Sequence, residues 1–177
     1  MDTINATPFQ KIYDAFFTKV TDDMYMEFTR EDTEKDLCAI LLNSIPRFEF
    51  PRFKLYDYAI NEIAPLEGED LPTQKFGIYN CELTTEEINI LASLMMSEWF
   101  TRQIATIDNT RMKYSSSDFK FTSQANHLDK LVKAKAAIDT DCKRMQRMYK
   151  RRKIDEEGYI VPNYSGFRGG MVSDSSY

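Results

Sequence analysis

Ser115, Ser116, Ser117, Asp118 and His127 are the residues whose types could supply a nucleophile, a base and an orienting acid. His127 is the single histidine of 177 residues, so any imidazole chemistry falls to it. A triad is defined by geometry, and these residues sit in or beside a polar connection, where turn, capping and first-turn roles account for them. Asp22 with Asp23, and Glu67, Glu69 and Asp70, carry the charge for a hard cation. They lack the ordered loop spacing of a calcium site and read as solvated surface. The sequence contains no glycine-rich phosphate loop, no metal-spaced His/Cys set and no nucleophile elbow. The expectation is a chain that is not an enzyme and uses neither metal nor cofactor.

Lys143, Arg144, Arg147, Lys150, Arg151, Arg152 and Lys153 are seven basic residues in eleven, with no acid among them. Cations at a helix end complement the carbonyl end of the dipole, which accounts for about three of them. The excess fits two ligands: nucleic-acid phosphates, or an acidic protein surface. Residues 1–128 carry 12 Lys/Arg against 21 Asp/Glu, whereas 129–153 carry 10 against 3. With so acidic a body and no accompanying recognition motif, the balance favours a protein surface, through docking or head-to-tail self-association.

These residues must be positioned by helices. Thr7, Pro8 and Gln10 have the grammar of a helix start, followed by Phe9, Ile12, Tyr13, Phe16, Phe17 and Val20 as one apolar face. A second helix begins around Thr29 to Thr33, buries Leu37, Ile40 and Leu41, and ends at Pro46. Between about 48 and 83, "RFEFPRFKLYDYAI" and "KFGIYNCEL" flank an acidic, Pro/Gly-containing loop, which predicts a small β-insertion. Thr84 and Glu87 form a capping box ahead of a helix at about 85–107. Nine of the thirteen residues from Ile88 to Phe100 are apolar, so this helix must be surrounded. Met95, Met96, Trp99 and Phe100 are core, an oligomer interface, or both on different faces. In the last helix, at about 123–152, Leu131, Ala134, Ile138, Cys142, Met145 and Tyr149 repeat every 3.6 residues on average. That is the period of a straight helix packed on a body. At about 45 Å it is long enough for its end to project.

The fold expected is mainly α: a bundle of about four helices over 1–153, with the β-insertion, and an extended C-terminal arm over 154–177. In the arm, "GYIVPNYSGFRGGMVSDSSY" holds four of the chain's six glycines. Tyr159, Tyr164 and Phe167 are its candidate anchors, and Ile160 and Val161 a minimal strand able to add to a partner's sheet. Lys150, Arg151, Arg152 and Lys153 would pair with the same partner. Cys38, Cys81 and Cys142 are widely spaced and fit a reducing compartment. No signal peptide or membrane span is expected.

The segments "LTTEEINILASLMMSEWF", "SSSDFKFTSQANHLDKL" and "RMYKRRK", with "IPRFEFPRF" upstream, resemble the small head-to-tail connector proteins, or neck adaptors, of tailed bacteriophages. The resemblance covers roughly residues 80–153 and rests on general pattern, without a catalytic signature. It implies a non-enzymatic virion protein, made in the host cytoplasm and located in the neck. There it would form a homo-oligomeric ring, usually of twelve copies. Such a ring binds the portal, joins it to the next neck or tail protein, and extends the DNA channel without sequence-specific DNA binding. The alternative function is a nucleic-acid-binding module using the basic helix 143–153.

Overall fold

A computed structural model of the chain describes residues 6–21, 24–52, 54–63, 74–113, 121–154 and 160–162. Five helices and two small sheets follow the order β1 (Thr7–Pro8), α1 (Phe9–Phe17), α2 (Met24–Glu27), α3 (Arg30–Ser44), a 3-10 turn (Ile45–Arg47), β2 (Tyr58–Ile63), β3 (Gln74–Tyr79), α4 (Thr85–Lys113), α5 (Phe121–Arg151), β4 (Arg152–Ile154) and β5 (Ile160–Pro162). The architecture is mainly helical with a small antiparallel sheet.

α4 is the axis of the fold, as its all-round apolarity required: α1, α3 and α5 all pack against it. Its Ile90, Leu91, Ala92, Leu94 and Met95 are buried with Phe9, Ile12 and Phe16 of α1, Leu37, Ile40 and Leu41 of α3, and Cys142 and Tyr149 of α5. Thr84 Oγ1 accepts from the Glu87 amide at 3.3 Å, and Glu87 Oε2 accepts from the Thr84 amide at 2.7 Å. This is the reciprocal capping box that the sequence spells. Thr29 likewise caps α3, accepting from the Asp32 amide at 3.2 Å. α4 continues through Lys113, across residues expected to begin the connection, because nothing from Thr106 to Lys113 breaks a helix.

Thr7 departs from its expected capping role. Thr7 and Pro8 form an edge strand opposite Tyr79 and Ile78, and Pro8 occupies the cap position. Buried Thr7 Oγ1 donates to the Cys81 carbonyl at 3.0 Å and accepts from the Leu83 amide at 2.8 Å. Gln10 donates to Asp14 at 2.8 Å. Tying the chain's start to the β3–α4 junction satisfies buried backbone groups that an N-cap would have left unpaired. Phe17, expected on the buried face, is exposed.

The sheet order is β1-β3-β2, antiparallel throughout. Its Gly77 lies under the Phe9 ring: a Cβ there would fall 2.1 Å from the nearest ring carbon. Phe9 also packs on Tyr79 and Tyr58, with centroids 4.7 and 5.8 Å apart. Of the aromatic run expected as a first strand, Phe48 lies buried beyond the 3-10 turn, and Leu55 joins the core.

The far end of α5 is docked rather than projecting. Tyr149 is buried edge-on to Phe48, with ring centroids 5.7 Å apart. The helix stops at Arg151, and Arg152–Ile154 pairs antiparallel with Ile160–Pro162. Arg152 and Lys153 therefore sit on a strand instead of the helix, and Ile160 and Val161 pair with their own chain. The expected boundary between domain and arm, at 153/154, falls inside β4.

Candidate functional site

The candidate surface is the outer face of the last three turns of α5. Lys143, Arg144, Arg147, Lys150 and Arg151 are all exposed there, while Cys142, Gln146 and Tyr149 on the opposite face are buried. A 3.6-residue period divides the helix cleanly in this way. Arg144 pairs with Asp141 one turn earlier at 3.2 Å, and Lys150 places its ammonium 3.9 Å from the centre of the Phe50 ring. The other three make no salt bridge among the described residues.

Polar anchors hold this face rigidly to the body. Gln146, 3% exposed, accepts from the Glu49 amide at 2.7 Å. Tyr149 donates its hydroxyl to Glu87 Oε1 at 2.5 Å. The same carboxylate receives Arg52 at 3.1 and 3.3 Å, while Arg52 also donates to the Glu82 carbonyl at 3.0 Å. Burial and the bond to Glu87 together raise the Tyr149 hydroxyl's pKa, so it stays a donor. Two turns earlier, Asp139 accepts from Lys135 at 2.7 Å, from Arg47 at 2.8 Å and from buried Ser97. Burial alone would raise the Asp139 pKa, but these donors outweigh it and hold it below the usual carboxylate value. Cys142 between the two anchors is pushed up to about 11, mainly by burial.

Such a set can present fixed charge but offers no activated nucleophile or proton shuttle. The acid of the Asp139 cluster is bound by cations, and the Cys142 thiol is protonated and covered. His127 is exposed on α5, while Ser115, Ser116, Ser117, Asp118, Glu67, Glu69 and Asp70 lie outside the described residues. Among the described residues, no group of three or more His, Cys, Asp or Glu could hold a metal. No described helix is long and apolar enough to cross a membrane.

Among the expected interface residues, Met95 is fully buried in the chain's own core, which leaves it no surface for a second copy. Met96, Trp99 and Phe100 are half-buried, with Trp99 and Phe100 edge-to-face at 5.0 Å. Tyr159, Tyr164 and Phe167 lie outside the described residues. Arg47, Arg52, Asp139 and Gln146 were missed by sequence reasoning. For Gln146 a signal existed, since it falls one turn from both Cys142 and Tyr149 on the inward face. Arg47 and Arg52 carried none, because their partners are 92 and 35 residues away.

No protein-family model, curated protein or solved structure matches this chain.

Proposed function

We propose that this chain is a structural head-to-tail connector of a tailed bacteriophage, a subunit of a ring, twelve copies in the family it resembles, lying between the portal and the next neck or tail protein. The observation that carries the reading is the α4–α5 pair. Two of the resembling segments, "LTTEEINILASLMMSEWF" and "RMYKRRK", lie largely on it, and the anchors at Glu87 and Asp139 make it a stiff strut with five cations facing outward. A rigid charged strut suits a part whose work is to hold two neighbours in register. Lys150 on the helix, and Arg152 and Lys153 on β4, are the proposed contacts to an acidic portal or tail surface. The residues after them would extend that contact, with Tyr159, Tyr164 and Phe167 as anchors.

Gold-labelled antibody against the full chain, applied to phage particles whose genome encodes it, should decorate the junction of head and tail. Label elsewhere on the particle, or none, would overturn the reading.

The same five cations support a second reading, a nucleic-acid-binding module. It requires tight duplex binding by the free protein, with a log–log salt slope of several units. Weak binding with a flat salt response would remove it.

A further inference from the structure

Two surfaces of the described chain carry exposed side chains of opposite charge beside exposed apolar ones. One is a groove of about 390 Å³ between α1, α2 and the start of α3, with Phe17, Tyr25, Phe28, Leu37, Arg30 and Glu34 in its wall. Phe17 and Phe28 are 38% and 39% exposed, and Met26 beside them is 84% exposed. Phe17 and Phe28 each meet Tyr25 edge-to-face, with centroids 5.4 and 6.2 Å apart. The described residues between 9 and 36 carry six carboxylates against four cations, and one of the six, Asp36, is paired with Arg102 at 2.6 Å. Arg30 and Lys35 are taken up by Glu34 and Glu31, at 3.0 and 2.6 Å. Exposed Asp14 and Glu27 have no cationic partner among the described residues.

The other surface is the outermost line of α5. Arg144, Met148 and Arg151 follow one another at four and three residues, with Arg147 alongside, so they share a face. Met148 is 45% exposed. Residues 141–151 carry five cations against one carboxylate. Guanidinium groups bind over aromatic faces and beside carboxylates, and a flexible thioether fills irregular space against rings. Phosphate backbones use the charges but give no role to the methionine between them.

We infer that the Arg144–Met148–Arg151 face of one copy seats in the Phe17–Tyr25–Phe28 groove of a second copy, as a helix laid in a groove. Each copy uses two different surfaces, so the contact is heterologous and builds a ring if its rotation closes. The inference rests on the connector reading only in requiring that copies associate, and it identifies the contact between them.

The test is sedimentation velocity of the purified full chain at low and high salt. Arg144→Glu/Arg151→Glu and Asp14→Lys/Glu27→Lys should each weaken self-association about tenfold or more, with circular dichroism and melting temperature unchanged. Mixed one to one, the two variants should regain it, because every stripe then meets a groove of opposite charge. Met148→Asp, exposed and remote from the core, should weaken association without touching a cation. A wild-type chain that stays monomeric, a variant that associates like wild type, or a mixture that recovers nothing would overturn the contact. So would a stripe variant that loses duplex DNA binding while self-association persists. Antibody labelling of virions judges the neck position separately, so the two failures are distinguishable.

Discussion

Glu87 serves three neighbours with one buried carboxylate: the Thr84 amide, the Arg52 guanidinium and the Tyr149 hydroxyl. Glu87→Ala uncaps α4, removes the acceptor of the Tyr149 hydroxyl and leaves Arg52 with the Glu82 carbonyl but no carboxylate. The expected loss is about 2–4 kcal/mol, read from the denaturant midpoint. Tyr149→Phe, which deletes one bond and keeps the ring, should cost about 1 kcal/mol. If Glu87→Ala were no worse than Tyr149→Phe, Glu87 would be only a helix cap. The cap was legible, because Thr84 and Glu87 are three residues apart. The hub was not, since Tyr149 lies 62 residues downstream and nothing local announces that the two meet. Cysteine chemistry gives a second check at this scale. With its thiol pushed up to about 11 by burial, Cys142 should resist iodoacetamide at neutral pH in the native protein. Half-buried Cys38 and Cys81 should be modified first, and mass spectrometry of the labelled peptides would show equal labelling if Cys142 were accessible.

The α4–α5 pair depends on Asp139, whose acidity makes that dependence measurable. Its carboxyl is more acidic folded than unfolded, so its stabilising effect is complete above the unfolded value of about 4. It disappears as pH falls through the lower folded value. Wild type should lose stability more steeply than Asp139→Asn below about pH 4, and parallel curves would refute the cluster's role. In the sheet, Gly77→Ala forces a methyl into the fully packed Phe9 ring and should cost about 1–3 kcal/mol, visible as a lower melting temperature. Helices α3, α4 and α5 were legible because caps and a 3.6-residue period are local signals. Thr7 was misread because its pattern fits a helix start equally well, and only the long-range partners Cys81 and Leu83 decide. Arg152 and Lys153 were misread because a run of cations continues smoothly from helix to strand. The change from helix to strand at Arg152 coincides with pairing to Ile160–Pro162, which no local signal announces.

At the scale of the whole molecule, acidic helices and a basic strut are carried on one axis, α4. Charge segregation was countable in the sequence, whereas the groove was not, because its walls come from three helices and one of them, α2, is only four residues long. Truncation after Arg151 leaves α5 and its anchors intact while removing both strands of the second sheet. On the connector reading, particles assembled with this truncated chain should fail to retain DNA, and normal infectivity would dismiss any role for the residues beyond 151. The central position of α4 also governs how the chain emerges during synthesis. α1 is translated first, yet the residues it buries against extend to Met95, and the strand that β1 joins ends at Tyr79. At the usual 5–20 residues per second, Phe9, Ile12 and Phe16 wait roughly 4–16 s before the face of α4 that covers them is complete. Through that interval the nascent amphipathic helix is exposed to chaperones, and slowing translation between α3 and α4 should lower the soluble yield.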